Sequence, residues 1–407
     1  MAGPINTARA AVPAYLGNDF RDAAPGHRFF MYLRLWDREW NKLQGAASDE
    51  LVQLTHDDRA RMKALANRQR CLAEEAEMST WTDILSIPAR SHSPFTTGLG
   101  LEHPLENGFT FLTPYGLPYL PGSSVKGVLR QAARELDEGS NFELTDKDWH
   151  RADIDALFGS AGKAEDPSAE LDRRRGALAF WDVIPVIPDG ANLQWEVMTP
   201  HHGAYYRDPD GGTPPHENTP PLPISFLTIP VGSQFRFVVQ CNRALLRDTA
   251  PHLLTDDHWQ TVTQALMAHA FSWLGFGAKT AVGYGEMAID EQAREEQIRR
   301  RQKAEDERKK QAARAAMAPG ERLAADFLEH KSDPGQAEYR YLLERLDAGE
   351  VPAHTVPEFA DVVLRCLDQR RSKVKGLKNK KKREKLLEEL DRHEQRLNAY
   401  ARGDGHH

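Results

Sequence analysis

Between Glu291 and Ala316 the chain reads EQAREEQIRRRQKAEDERKKQAARAA, a run with charge pairs at i,i+4 and no apolar face. A segment of this kind folds as a solvated helix and offers no side to a hydrophobic core. It therefore divides the 407-residue chain into a body that ends near Asp290 and an extension over residues 291–407. Pro319-Gly320 breaks the polar run. Beyond it Phe327, Tyr341, Leu342 and Leu346, then Val362 to Leu367, recur at helical spacing. Arg371–Lys385 follows with nine Lys/Arg and one acid. That composition suits either a solvated charged helix or a nucleic-acid arm.

Charge is distributed unevenly across the same boundary. The whole chain carries −7; residues 291–407 hold 27 Lys/Arg against 23 Asp/Glu, or +4, which leaves −11 for residues 1–290. This excludes a uniformly basic nucleic-acid binder, because counterion release needs phosphates neutralised locally. Any RNA contact must come from a few placed residues and backbone amides. No stretch approaches the roughly 18 uninterrupted apolar residues of a membrane span. The opening MAGPINTARAAVPAYL lacks the basic-then-apolar pattern of a secretory signal. Cys71, Cys241 and Cys366 lie far apart, in neither a zinc pattern nor a disulfide framework. A soluble cytoplasmic protein with no membrane partner is expected.

Along the body, residues 1–27 read as an irregular lead-in rich in Ala, Pro and Gly. Residues 28–77 read as helical, through Phe30, Leu33, Leu35, Trp36, Trp40 and Leu43, then a second helix over Asp57–Glu77. A Gly- and Pro-rich stretch leads to a helix from about Ser123 to just before Gly139. Strands are predicted at Ala177–Ile187, Asn192–Met198, Gln234–Cys241 and Glu286–Ile289, with a helix over Asp257–Leu274 carrying Trp259, Val262, Leu266, Ala270 and Trp273. The order is strand, helix, strands, helix, strand. It predicts an α+β fold: a ferredoxin-like, RNA-recognition-type core with insertions over 81–290, N-terminal helices over 1–80, and a charged helical extension over 291–407.

Two segments carry the chemistry. In PYLPGSSVKGVLRQAAR, Pro118–Arg134, the turn residues Pro121 and Gly122 precede Ser123 and Ser124, which are placed to cap a helix. The start of such a helix presents unpaired N–H groups and partial positive charge, a seat for phosphate. Lys126, Arg130 and Arg134 recur at i, i+4 and i+8, opposite an apolar stripe of Val125, Leu129, Ala132, Ala133 and Leu136. In GFGAKTAVGYG, Gly275–Gly285, four glycines allow close backbone approach and positive φ. Lys279, Thr280 and Tyr284 supply charge and hydroxyls. Ala278 before Lys279 rules out a nucleotide-binding P-loop, which needs Gly there.

PGSSVKGVLR paired with a glycine-rich loop before the last strand resembles the two signatures of the RAMP superfamily. TGLGLEHPLENG, ALAFWDVIP, VMTPHHGAYY and PLPISFLTIPVGSQFRF, in that order across residues 80–290, are similar to the sixth-subunit family of type III-B CRISPR (Cmr) effector complexes. The resemblance implies a non-catalytic scaffold at the 3′ end of the guide. Its partners would be CRISPR RNA, a neighbouring RAMP backbone subunit, a small helical subunit and, indirectly, target RNA. It also implies that Ser123, Ser124, Lys126 and Arg130 hold guide phosphates together with the glycine loop around Lys279, within an RNA-binding set that adds Gly122, Arg134, Thr280 and Tyr284, with no cofactor or metal. Tyr205 and Tyr206, beside His201, His202 and Arg207, are candidates for base stacking or for reaching a neighbour.

Two other classes compete. RAMP relatives that process CRISPR RNA are metal-independent ribonucleases, often with a catalytic histidine, and backbone relatives cleave target RNA with a loop aspartate and a metal; His103, His202 or Asp182 would be the candidates. No spacing shows two titratable groups converging on one 2′-OH, and His201-His202 lacks a clustered carboxylate or cysteine for a metal. His103 beside a proline turn and Asp182 before Pro185 read more simply as fixing local backbone. The third class is a protein-interaction subunit without direct RNA contact, which the acidic body favours.

Overall fold

The computed structural model describes residues 8–43, 49–76, 82–138, 151–160, 174–199, 205, 208, 211, 214 and 223–401. The chain divides into two compact units, Met1–Glu295 and Glu296–His407.

The first unit opens with β1 (Arg9–Ala10), α1 (Pro25–Phe30) and β2 (Arg34–Trp36), with β1 and β2 antiparallel. The lead-in is thus more regular than its composition suggests, and the helix expected through Leu43 stops at Phe30. Leu33 and Leu35 are buried against Leu51 while Arg34 and Trp36 are only half-buried. Burial at every second residue is the period of a strand. Next come α2 (Asp49–Val52) and α3 (His56–Ala76). Thr55 and Asp58 form a reciprocal cap at the start of α3: Thr55 N–H donates to Asp58 Oδ2 at 3.0 Å, and Asp58 N–H to Thr55 Oγ1 at 3.1 Å. Buried Arg28 ties these helices together, donating to the carbonyls of Ala23, Glu50 and Gln53.

After β3 (Thr82–Ser91) and a short hairpin of β4 (Phe111–Leu112) and β5 (Leu117–Pro118), helices and strands alternate along the chain. These are α4 (Gly122–Glu138), α5 (Arg151–Phe158), β6 (Leu178–Phe180), β7 (Gln194–Met198), β8 (Ile224–Thr228), β9 (Gln234–Asn242), α6 (Arg243–Thr249), α7 (His258–His269) and β10 (Met287–Ile289). The four-stranded sheet runs β10-β3-β9-β6, every neighbour antiparallel. Its elements follow the chain as strand, helix, strand, strand, helix, strand. On one face Leu85, Ile87, Ala89, Phe235, Phe237 and Val239 bury against Val125, Leu129, Ala132 and Ala133 of α4 and Trp259, Val262 and Leu266 of α7. On the other face Ile84 and Val238 pack with Ala73 of α3.

Several strands differ from expectation. The longest pairing, β3 with β9, uses TDILSIPARS, a segment with no clean alternation and an internal Pro88. The run 177–187 is a strand only over Leu178–Phe180; with Pro185 unable to donate to a ladder, it continues as isolated bridges, Leu120 to Val183 and Val186 to Gln234. β7 joins no main-sheet strand and pairs instead with β8, a strand hidden among prolines in PLPISFLTIP.

α8 (Glu291–Ala316) buries no residue, as its all-round polarity predicts. The second unit continues with α9 (Pro319–Glu329), α10 (Glu338–Asp347), α11 (Val356–Lys375) and α12 (Lys380–Ala401). Ala324, Leu342, Leu346, Phe359, Val363, Leu367, Leu390 and Leu397 give it a core of its own.

Candidate nucleic-acid interface

The predicted helix over Ser123–Glu138 starts one residue earlier, at Gly122. Val125, Leu129, Ala132 and Ala133 are buried, so the opposite stripe faces outward. Ser123 and Arg134 are exposed, and Ser124, Lys126 and Arg130 half-buried. Neither serine is the residue preceding the helix; both lie in its first turn. The Gly122 N–H is instead taken by Asp182 Oδ1 at 2.7 Å. Gly122 lies so close to β6 that a Cβ there would stand 2.1 Å from the Phe180 carbonyl oxygen. Glycine is therefore required by packing as well as by the turn. Arg130 reaches Asp155 at 3.5 Å with its side chain 21% exposed. Among the described residues Lys126 and Arg134 have no carboxylate within 4 Å, which leaves them the freer cations of the ridge.

In the glycine loop, Gly275, Gly277, Gly283 and Gly285 all have positive φ, as does Lys279 at 59°. Much of the loop's backbone is spent on its own turn. Phe276 N–H donates to Gly285 O at 2.9 Å, Ala278 N–H to Thr96 O at 2.8 Å, and Gly285 N–H to Pro94 O at 2.9 Å. Its side chains lean on the β7–β8 hairpin. Lys279 Nζ stands 3.4 Å from Met198 Sδ and 4.9 Å from the centre of the Phe226 ring. Burial lowers the Lys279 pKa from the ordinary lysine value. The Tyr284 ring meets Phe226 edge-on at 5.5 Å. Burial and the nearby Glu196 carboxylate push the phenol pKa up. Thr280 is half-buried, and Val282 at the loop's tip is 67% exposed.

The sites identified in the sequence thus fall into two groups. Lys279 and Tyr284 sit against the hairpin whose connecting loop contains the HHGAYY segment. Of that segment Tyr205 is described and 44% exposed, while His201, His202, Tyr206 and Arg207 lie outside the described residues. The α4 ridge stands at the β6 edge of the sheet, and the glycine loop feeds β10 at the opposite edge. The far end of α4 is tied to α7, the helix that precedes the glycine loop, where His269 Nε2 and Glu135 Oε2 are 2.8 Å apart. The sheet face without α4 and α7 carries α3 over Ile84 and Val238, which takes that part of the face away from base stacking.

Of the competing catalytic candidates, His103 and Asp182 are engaged structurally, and His202 lies outside the described residues. His103 stacks on Phe29 with ring centres 3.8 Å apart. Its Nδ1 accepts from Leu105 N–H at 3.1 Å while Nε2 lies 2.9 Å from Phe29 O. That pairing makes Nε2 the protonated nitrogen of a neutral ring. Asp182 caps α4. Among the described residues no group of three or more His, Cys, Asp or Glu could hold a metal ion. Among the described residues no helix is long and apolar enough to cross a membrane.

Sequence periodicity misplaced one aromatic. Trp273 continues the apolar stripe of α7 on paper, yet it is 71% exposed. Residues Ala270–Leu274 form a π-turn, and the wider winding rotates Trp273 off the buried stripe, two residues before the glycine loop. Only the approaching Gly275 hinted at it.

Residues 89–288 match the model of the RAMP superfamily. The chain is 30% identical over 236 residues to the CRISPR system Cmr subunit Cmr6 of Pyrococcus furiosus, a match covering 49% of this chain and 66% of that protein's length. Among solved structures, a type III-B Cmr-β complex bound to cognate target RNA aligns over 60% of this chain and 68% of its own, at 20% identity and TM-score 0.38. The crystal structure of Cmr6 from Pyrococcus furiosus aligns over 52% of this chain and 100% of its own, at 24% identity and TM-score 0.28.

Proposed function

Residues 89–288 of this chain belong to the RAMP superfamily, and from that premise we propose that it is a non-catalytic CRISPR RNA-binding subunit of a type III-B effector complex. In this reading it acts in the cytoplasm at the 3′ end of the guide. It lies beside a RAMP backbone subunit and a small helical subunit, and meets target RNA only indirectly. The similarity to Cmr6 over 236 residues supports the assignment. The sheet order β10-β3-β9-β6 with α4 and α7 on one face supports a ferredoxin-like core.

The observation that carries the proposal is the construction of α4. One stripe is core, while Lys126 and Arg134 stand outward without carboxylate partners among the described residues. Unpaired cations along an outward ridge suit sequence-independent contact with a phosphate backbone. Ser123 and Ser124 in the first turn add hydroxyl donors beside them. Lys279, Thr280 and Tyr284 of the glycine loop offer a second contact, and exposed Trp273, two residues before the loop, offers a flat surface for a base. The absence of catalysis is supported by His103, whose two ring nitrogens are both engaged, and by Asp182, which serves α4.

The test is incubation of the purified full chain with end-labelled CRISPR RNA. Binding without cleavage is the expected result. Cleavage at a defined position would establish instead a processing ribonuclease.

A further inference from the structure

The second unit concentrates its positive charge at one end. Residues 296–407 hold 26 Lys/Arg and 21 Asp/Glu, or +5; residues 370–385 alone hold ten of the former and one of the latter, or +9, so the remainder is −4. This stretch is the end of α11, a four-residue turn and the start of α12. Lys373, Lys375, Lys378, Lys380–Lys382 and Lys385 are all exposed. Among the described residues none has a carboxylate within 4 Å. Arginines of the same unit are spent on structure: Arg314 on Asp326, Arg345 on Glu350, Arg371 on Asp391 and Arg396 on Asp347. Among the described residues the tip lysines hold no side-chain partner in the fold.

Their position opposes local stability. A helix start carries partial positive charge and favours acids. The first turn of α12 has no acid and instead carries three consecutive lysines. Asn379 supplies only one cap, accepting from Lys382 N–H at 3.1 Å. Helices tolerate such an arrangement more readily when an anion from outside sits there.

We propose that the α11–α12 tip is a second, sequence-independent RNA-backbone contact, separate from the α4 ridge. A polyphosphate fits this surface better than a protein does. Lysine is depleted at protein interfaces, whose centres are apolar and aromatic. The tip carries no aromatic residue, and its one exposed large apolar side chain is Leu377. Point charges on flexible stems follow a phosphate chain without demanding a base sequence.

The test uses the full chain, labelled single-stranded RNA and a salt series, with the variant Lys380→Glu/Lys381→Glu/Lys382→Glu. If all three lysines contact phosphates, the slope of log affinity against log salt falls by about 2, at roughly 0.7 per contact. Thermal melting should not fall, because the new acids suit the helix start; this separates lost binding from lost fold. Lys126→Ala/Arg130→Ala, run in the same series, reads the α4 ridge independently, so either contact can fail alone. An unchanged slope in the triple variant would overturn the proposal. So would stronger binding of the wild-type chain to anionic phospholipid vesicles than to RNA, lost in the variant.

Discussion

The Asp182 carboxylate accepts the Gly122 N–H at 2.7 Å, so an acid just past β6 occupies the positive end of α4. The sequence marked that helix start as a seat for phosphate and Asp182 as a catalytic candidate. The two residues satisfy one another instead. What remains for a phosphate is the ridge beyond the first N–H, where Lys126 and the serine hydroxyls lie.

Asp182→Ala should lower stability by about 1 kcal/mol, the usual loss on removing a helix cap, while Asp182→Asn should keep most of it. Both variants remove a negative charge beside the ridge and should therefore bind guide RNA more tightly at low salt. Denaturant unfolding and a binding titration read the two effects separately. Weaker binding in Asp182→Asn, with the fold intact, would contradict this role.

Within the ridge, Lys126 should matter more than Arg130. Arg130 is partly committed to Asp155 at 3.5 Å, whereas Lys126 has no described carboxylate partner. Lys126→Ala should reduce the salt slope of single-stranded RNA binding by about 0.7, the value of one lost phosphate contact, and Arg130→Ala by less.

The glycine loop is built by close approach as well as by positive φ. A Cβ at Gly277 (φ 94°) would stand 2.1 Å from Thr96 O, and one at Gly285 (φ 76°) 1.9 Å from Phe276 O. Gly277→Ala and Gly285→Ala should each cost more than about 1 kcal/mol and lower the melting temperature. Gly283→Ala has open space around it and only its φ of 94° to strain, so its loss should be smaller.

His103 should make the first unit sensitive to mild acid. Burial holds its pKa below the ordinary histidine value of 6.5, against an opposing hydrogen bond with Phe29. The fold therefore favours the neutral ring. Above 6.5 both folded and unfolded states are neutral and the full stability is present. As pH falls below 6.5 the unfolded state takes the proton first, and stability is lost until the folded pKa is passed. Denaturant midpoints measured at pH about 7.5 and about 5.5 should fall further for the wild type than for His103→Phe, which has no proton to take up.

The sequence was informative where local pattern and packing agree. α4 has its apolar stripe at helical spacing and its breakers at the start, so its bounds differ from expectation by one residue. α3 and β9 were similarly clear. Over residues 33–43 a few bulky apolar residues fit two periods, and only pairing with Arg9–Ala10 decides for a strand. Pro88 and the mixed faces of TDILSIPARS disguise β3, a central strand whose two faces meet different helices. The roles of Asp182 and Trp273 lie beyond single-sequence reading. One depends on a residue 60 positions away, the other on a π-turn that shifts the helical register. Lys279 is legible as a cation, but nothing in its own segment announces Met198 and Phe226 as its neighbours.

The most direct test of the account is ultraviolet crosslinking of guide RNA to the full chain, with crosslinked peptides identified by mass spectrometry. The account predicts crosslinks within residues 118–134 and 273–285. Crosslinks confined to other parts of the chain, with none in either segment, would contradict it.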